Sequence, residues 1–162
     1  MEWLVADEDY VTGRGMEELP AGPSLAVMLD CVAMGDEPGV GMDQAALLES
    51  MRAGQKMESW ATARKLQAIA EFESRLEQED SDRYEFLFAE VSLAMGISKN
   101  AAADLAFVAD RLVHHLKDTF AALKCGRISF PQAKIIASAT ANLEEDLAAA
   151  VEAAETTRLG AS

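Results

Sequence analysis

Residues 44–79 read QAALLESMRAGQKMESWATARKLQAIAEFESRLEQE, with no proline and no cluster of turn residues. Within them Leu47, Leu48, Met51, Trp60, Ala63, Leu66, Ile69, Ala70, Phe72 and Leu76 recur at helical spacing. A continuous helix of this length would be roughly 50 Å long at 1.5 Å per residue. That exceeds the width of a compact domain of this size, so the helix either kinks near Gly54 or projects and pairs with another chain. We read it as one long helix. The stripe of Trp60, Leu66, Ile69 and Phe72 is then a helix-packing surface and a candidate partner-helix contact, and a homodimer through residues 44–79 is expected.

The flanking sequence supplies further helices and few other elements. Residues 1–22 form an acidic stretch, expected to be a disordered tail, that ends at the breaker Pro20-Ala21-Gly22-Pro23. Residues 23–162 read as a single helical domain. A short helix over about 24–34 places Leu25, Met28, Leu29 and Val32 on one stripe, and Gly35 to Gly41 form a loop. Asp43 is a plausible N-cap for the long helix. Asp82 with Glu85 resembles a capping box for a helix over about 83–95 that buries Phe86, Leu87, Val91 and Met95, and Gly96 ends it. Ser98 caps a helix running to about Cys125, where Gly126 stops it. Ser129 with Gln132 and Pro131, and later Asn142 with Glu145, open two more. The fold class is therefore all-α, about six helices with one long helix.

Composition agrees. Half of the 162 residues are apolar, chiefly alanine, leucine and methionine, all strong helix formers. The net charge of −14 repels a phosphate backbone, so wholesale wrapping of nucleic acid is excluded. The charge is uneven. Residues 1–40 hold nine acids against Arg14 alone, whereas residues 81–125 hold six acids and five bases, leaving room for a local nucleic-acid surface. Cys31 and Cys125 lack disulfide or metal spacing and read as small buried side chains. The first residues have no basic region followed by an apolar core, and no run approaches the roughly 20 apolar residues of a membrane span. A cytoplasmic protein is expected.

Two constellations are candidates for chemistry. From Val91 through Gly96, Ser98 and Leu105, a helix, a glycine turn and a capped second helix match the helix-turn-helix pattern. Ser92 is small enough for a close crossing, and Ala102 and Leu105 face inward. Ser98, Lys99, Asn100 and Ala103 then become the nucleic-acid-binding candidates, with DNA held through residues 90–105. Lys99 and Asn100 suit base edges and phosphates, but Asp104 and Asp110 oppose them. The other reading is an ordinary corner of a helical bundle. Asp110, His114 and Asp118, at i, i+4 and i+8 with His115 beside them, could begin a metal site. Spacing nominates no further ligand, and Arg111 and Lys117 fit a solvated charged face, so no metal and no cofactor is expected. No nucleophile with a base and orienting group is visible, and there is no His-Glu-x-x-His.

Three blocks resemble a known family. They are Trp60 through Glu71; Ala89-Glu90-Val91 through Met95-Gly96-Ile97-Ser98; and Gly126-Arg127-Ile128-Ser129 followed by Ala133-Lys134, Ile136-Ala137 and Ala139-Thr140. Together, over about residues 20–158, they resemble the actinobacterial 13E12 repeat family, domain-of-unknown-function family 222. The resemblance implies a helical module of the kind found in front of HNH nuclease domains, with an accessory role in DNA processing. It does not imply catalysis here, because the histidines and metal-binding unit of an HNH site have no counterpart in this sequence. A C-terminally truncated copy, with a separately encoded nuclease domain as partner, is one expectation. The function expected is a non-catalytic accessory module that engages DNA or a partner; the alternative is a self-associating helical module without nucleic-acid contact.

Overall fold

The computed structural model describes residues 15–33, 43–79, 86–143 and 145–160. Helices α1 (Pro23–Ala33), α2 (Gln44–Glu79), α3 (Leu87–Met95) and α4 (Lys99–Asp110) are followed by a π-helical turn, Arg111–His115. Then come α5 (Lys117–Lys124), α6 (Phe130–Ala139) and α7 (Glu145–Gly160). Among the described residues there is no strand, so the all-α class holds.

Helix α2 runs unbroken for 36 residues, passing Gly54 without interruption. Asp43 starts it, its carboxylate accepting from the Ala46 N–H at 2.8 Å. Two apolar clusters lie along it. The larger surrounds Ala63, Leu66, Ile69, Ala70 and Leu76, onto which α3, α4 and α5 pack with Leu87, Val91, Ala102, Ala106, Leu112, Leu116 and Leu123. The smaller joins Ala53 to Met16, Leu25 and Met28.

Residues 15–22, expected within a disordered tail, are packed against α2. Met16 is fully buried, the Arg52 guanidinium sits 2.7 Å from a Glu17 carboxylate oxygen, and Lys56 Nζ donates to Leu19 O at 2.6 Å. The sequence here offers Met16 and Leu19 as anchors among its acids. Residues 1–14, the loop from Gly35 to Gly41 and the Asp82–Glu85 pair lie outside the described residues.

Three expectations need correction. Phe86 precedes α3 and is 60% exposed, because the helix begins at Leu87 and turns Leu87 and Val91 inward instead. The expected helix from Ser98 to Cys125 is two helices, which makes seven α-helices among the described residues. The cause is the π turn, where the Leu116 N–H bonds to Arg111 O at 2.9 Å, five residues back. Leu116 then leaves helical geometry at φ −119°, ψ 65°. The wider turn keeps both Leu112 and Leu116 fully buried while reorienting the chain. Both cysteines are exposed rather than buried.

The turn after α5 depends on glycine twice. Gly126 has φ +76°, and a Cβ there would lie 3.0 Å from the Lys56 Cα of α2. Gly126→Ala should therefore destabilise by about 1–2 kcal/mol from the backbone alone, with the clash added. Gly54, with open space around it, should tolerate alanine and gain about 0.5–1 kcal/mol in the helix interior. Urea melts of the two variants should shift in opposite directions.

Candidate functional site

The turn between α3 and α4 is held by its own short side chains. Gly96 takes φ +65° and closes α3, its N–H bonding to Ser92 O. The Ser92 hydroxyl donates to Ile97 O at 2.6 Å, and Ile97 N–H donates to Ser92 O at 3.1 Å. Ser98 caps α4, its Oγ accepting from the Ala101 N–H at 3.2 Å. Ala102 is buried and Leu105 half-buried against the core. Ser98, Lys99 and Asn100 stand exposed together at the start of α4, with Ala103 half-buried one turn on and Asp104 exposed beside it.

The outer face of α3 is apolar apart from Glu90. Leu93 is 86% exposed, and Phe86, Glu90, Leu93 and Ala94 share this face at helical spacing. Between α3 and α2 lies a cavity of 390 Å³ lined by Lys65, Ala68, Ile69, Phe72, Val91 and Met95, with Glu90 and Ala94 at its α3 side. The charged rim, Lys65 and Glu90, carries opposite signs across an apolar floor.

The partner-helix stripe is distributed differently from its expected role. Leu66 and Ile69 are buried in the main core, Phe72 packs on that core, and Trp60 is half-buried. The chain's own α3, α4 and α5 occupy this stretch of α2. What α2 leaves uncovered lies earlier: Leu47, Leu48 and Met51, the last 68% exposed. A helical period shows which residues share a face; it does not show whose chain covers that face.

The π turn rearranges the acid and histidine candidates. The extra residue per turn brings Asp110 opposite His115, with Nε2 3.7 Å from Oδ2, in place of the i, i+4 pairing with His114. A polar cavity of 310 Å³ beside it is lined by Glu73, Ser74, Asp110, His114, His115 and Ala70, and Asp118 is not among its lining residues. Among the described residues, no three His, Cys, Asp or Glu side chains are grouped to hold a metal ion.

Two charged residues that spacing did not single out hold this region together. Arg111 is part of the fold: its Nη2 donates to Thr140 O at 3.0 Å, placing a cation at the C-terminal end of α6. Glu152 of α7, only 6% exposed, accepts from the Thr119 N–H at 2.7 Å. It supplies from another helix the N-terminal acceptor that Leu116 cannot offer α5. A lone glutamate in the alanine-rich run from Ala148 to Ala154 was the available signal.

The family model described as "Domain of unknown function (DUF222)" matches residues 53–162, more than half of the chain. The chain belongs to the DUF222 family. This is the 13E12 repeat family, so the resemblance carried by the three sequence blocks holds at family level. No curated protein and no solved structure matches the chain. The DUF222 match begins at Ala53, later than the span of about 20–158 covered by those blocks. The α3–α4 corner, the apolar cavity, the π turn and α6 lie within the DUF222 match, whereas α1 and the exposed Leu47, Leu48 and Met51 lie before it. No helix among the described residues is long and apolar enough to cross a membrane.

Glu152→Ala should remove the Thr119 amide's acceptor beside a Thr119 hydroxyl that already has no partner. Leaving that buried donor unsatisfied should cost about 1–3 kcal/mol. Glu152→Gln, which keeps an acceptor oxygen, should cost less. Urea midpoints of the two variants check this order.

Proposed function

We propose that the chain is a non-catalytic helical module that works by holding another folded protein against the outer face of α3. One observation carries this reading: Phe86 and Leu93, on the outer face of α3, are 60% and 86% exposed beside a cavity with an apolar floor. A contiguous exposed apolar patch of this kind marks an interaction site. The family resemblance implies the partner class, an HNH-type nuclease domain. The module then contributes attachment and the partner contributes bond cleavage.

A second reading, DNA held at the α3–α4 corner, is favoured by the joint exposure of Ser98, Lys99 and Asn100 at a capped helix start. Glu90 and Asp104, both exposed nearby, weaken it, since each repels phosphate. A self-associating module is the third. It would have to use Leu47, Leu48 and Met51 on α2, because Leu66 and Ile69 serve the chain's own core.

The readings separate by variant. Sedimentation of the chain mixed with an HNH domain from a DUF222 protein should show a complex. Leu93→Glu should weaken it at least tenfold, with an unchanged melting temperature because Leu93 contributes little to the core. Absence of any complex at about 50 μM sinks the proposal. A complex of two copies abolished by Met51→Glu supports self-association in its place. If DNA is held at the corner, Lys99→Ala combined with Asn100→Ala should abolish a duplex mobility shift at low salt.

A further inference from the structure

Acidic and basic residues are segregated along this chain. Its net charge is −14, yet no aspartate or glutamate occurs from Thr119 to Leu143, while Lys124, Arg127 and Lys134 do. The structure places these three along one helix-turn-helix segment, the α5–α6 corner. Lys124 ends α5, Arg127 lies in the turn after Gly126, and Lys134 sits one turn into α6. All three are exposed.

They differ from the cations that the fold engages, and share their lack of an ion pair with Arg64, Lys65, Lys99 and Lys117 among the described residues. Arg52, Arg75 and Arg158 each sit within 2.8 Å of a glutamate oxygen, Lys56 donates to two backbone carbonyls, and Arg111 donates to Thr140. Among the described residues, Lys124, Arg127 and Lys134 form no ion pair; the one polar contact is Arg127 Nε donating to Cys125 Sγ at 3.2 Å. Asp118 and Glu144 flank this stretch in sequence, and two acids further along α7 are engaged elsewhere: Glu152 is buried on the Thr119 amide and Glu155 is paired with Arg158. The outer face of α6 continues the surface with Pro131, Ile135 and Ser138, and Ile135 is 68% exposed.

We propose that the α5–α6 corner, through Lys124, Arg127 and Lys134, is a contact surface for the phosphodiester backbone of a nucleic acid. Cations that form no ion pair among the described residues are free to replace condensed counterions on a polyanion. The turn itself is rigid, because Gly126 is packed on Lys56 of α2 and the Gln132 carboxamide oxygen accepts from both the Ser129 N–H and hydroxyl, at 2.7 and 2.9 Å. Ile135 adds an apolar contact for sugar or base edges. The −14 field of the whole chain opposes the approach, so contact is weak and confined to this corner.

The expected salt dependence follows from the count. Three released counterions give a log–log slope of about −2.7, so affinity should fall about 40-fold between about 50 and 200 mM salt. Fluorescence anisotropy of the full chain with a 30-base-pair DNA duplex, and separately with a 30-nucleotide single-stranded RNA, reads this slope and identifies the preferred source of phosphate. Each single alanine variant of Lys124, Arg127 or Lys134 should lower the slope by about 0.9, and the triple variant should remove binding. Lys134→Arg should bind as the wild type does. All these positions are exposed, and a circular dichroism melt checks that the triple variant folds. Binding that survives the triple variant and is lost with Lys99→Ala and Asn100→Ala overturns this proposal and favours the α3–α4 corner. No binding to either probe at 20 mM salt overturns it too, and leaves the protein-docking role of α3 untouched.

Discussion

Helix α2 imposes the constraint on which the rest of the structure depends. It is far longer than the other helices, so they must be arranged along it. Its buried positions at Ala63, Leu66 and Ala70 mix small and large side chains. Facing them on α4 are Ala102, Ala106 and Ala109, all buried, and such small residues let helix backbones approach closely. Removing one buried leucine from such a seam costs about 2–5 kcal/mol, a large fraction of the roughly 5–15 kcal/mol by which a domain is stable. The exposed surfaces proposed for function are consequences of this arrangement. A single rod has one C-terminal half to offer, and α3 can reach it with only one face.

The second determinant is the break between α4 and α5. Nothing local forces it, since Arg111 to Leu116 contain neither proline nor glycine. Tertiary contacts do: Leu112 and Leu116 are both driven inward, Arg111 is tied to the end of α6, and Glu152 caps the freed start of α5. The π turn widens the helix by one residue and so decides which charges meet. Asp110 faces His115, while Lys124 and Arg127 are carried to the far end of α5, away from the acids of α4.

Much of this was legible in the residues. The long helix has the bounds its periodicity gives, the Gly96 and Gly126 stops act where they were placed, and Ser98 caps α4. Cap and stop chemistry is local, so sequence carries it. The break between α4 and α5 is not legible in the residues, because a π turn has no sequence signature and depends on partners such as Glu152, which is 33 residues from Thr119. Phe86 lies outward although its spacing suits the inner face, because spacing fixes a face without fixing where the helix starts. Trp60, Leu66, Ile69 and Phe72 carried the right period, but whether the cover is α3 and α4 or a second chain is a tertiary fact. The charge segregation around Lys124, Arg127 and Lys134 was present in the composition. The structure adds that the three lie on the segment that turns at Gly126.

Hydrogen exchange along α2 in the intact chain tests the central role of its C-terminal half most directly. Amides of residues 63–70 should exchange slowest and together with those of 102–109, as one cooperative unit, and those of 44–52 should exchange faster. Residues 63–70 exchanging as fast as 44–52, or α4 remaining protected while α2 opens, would contradict the account.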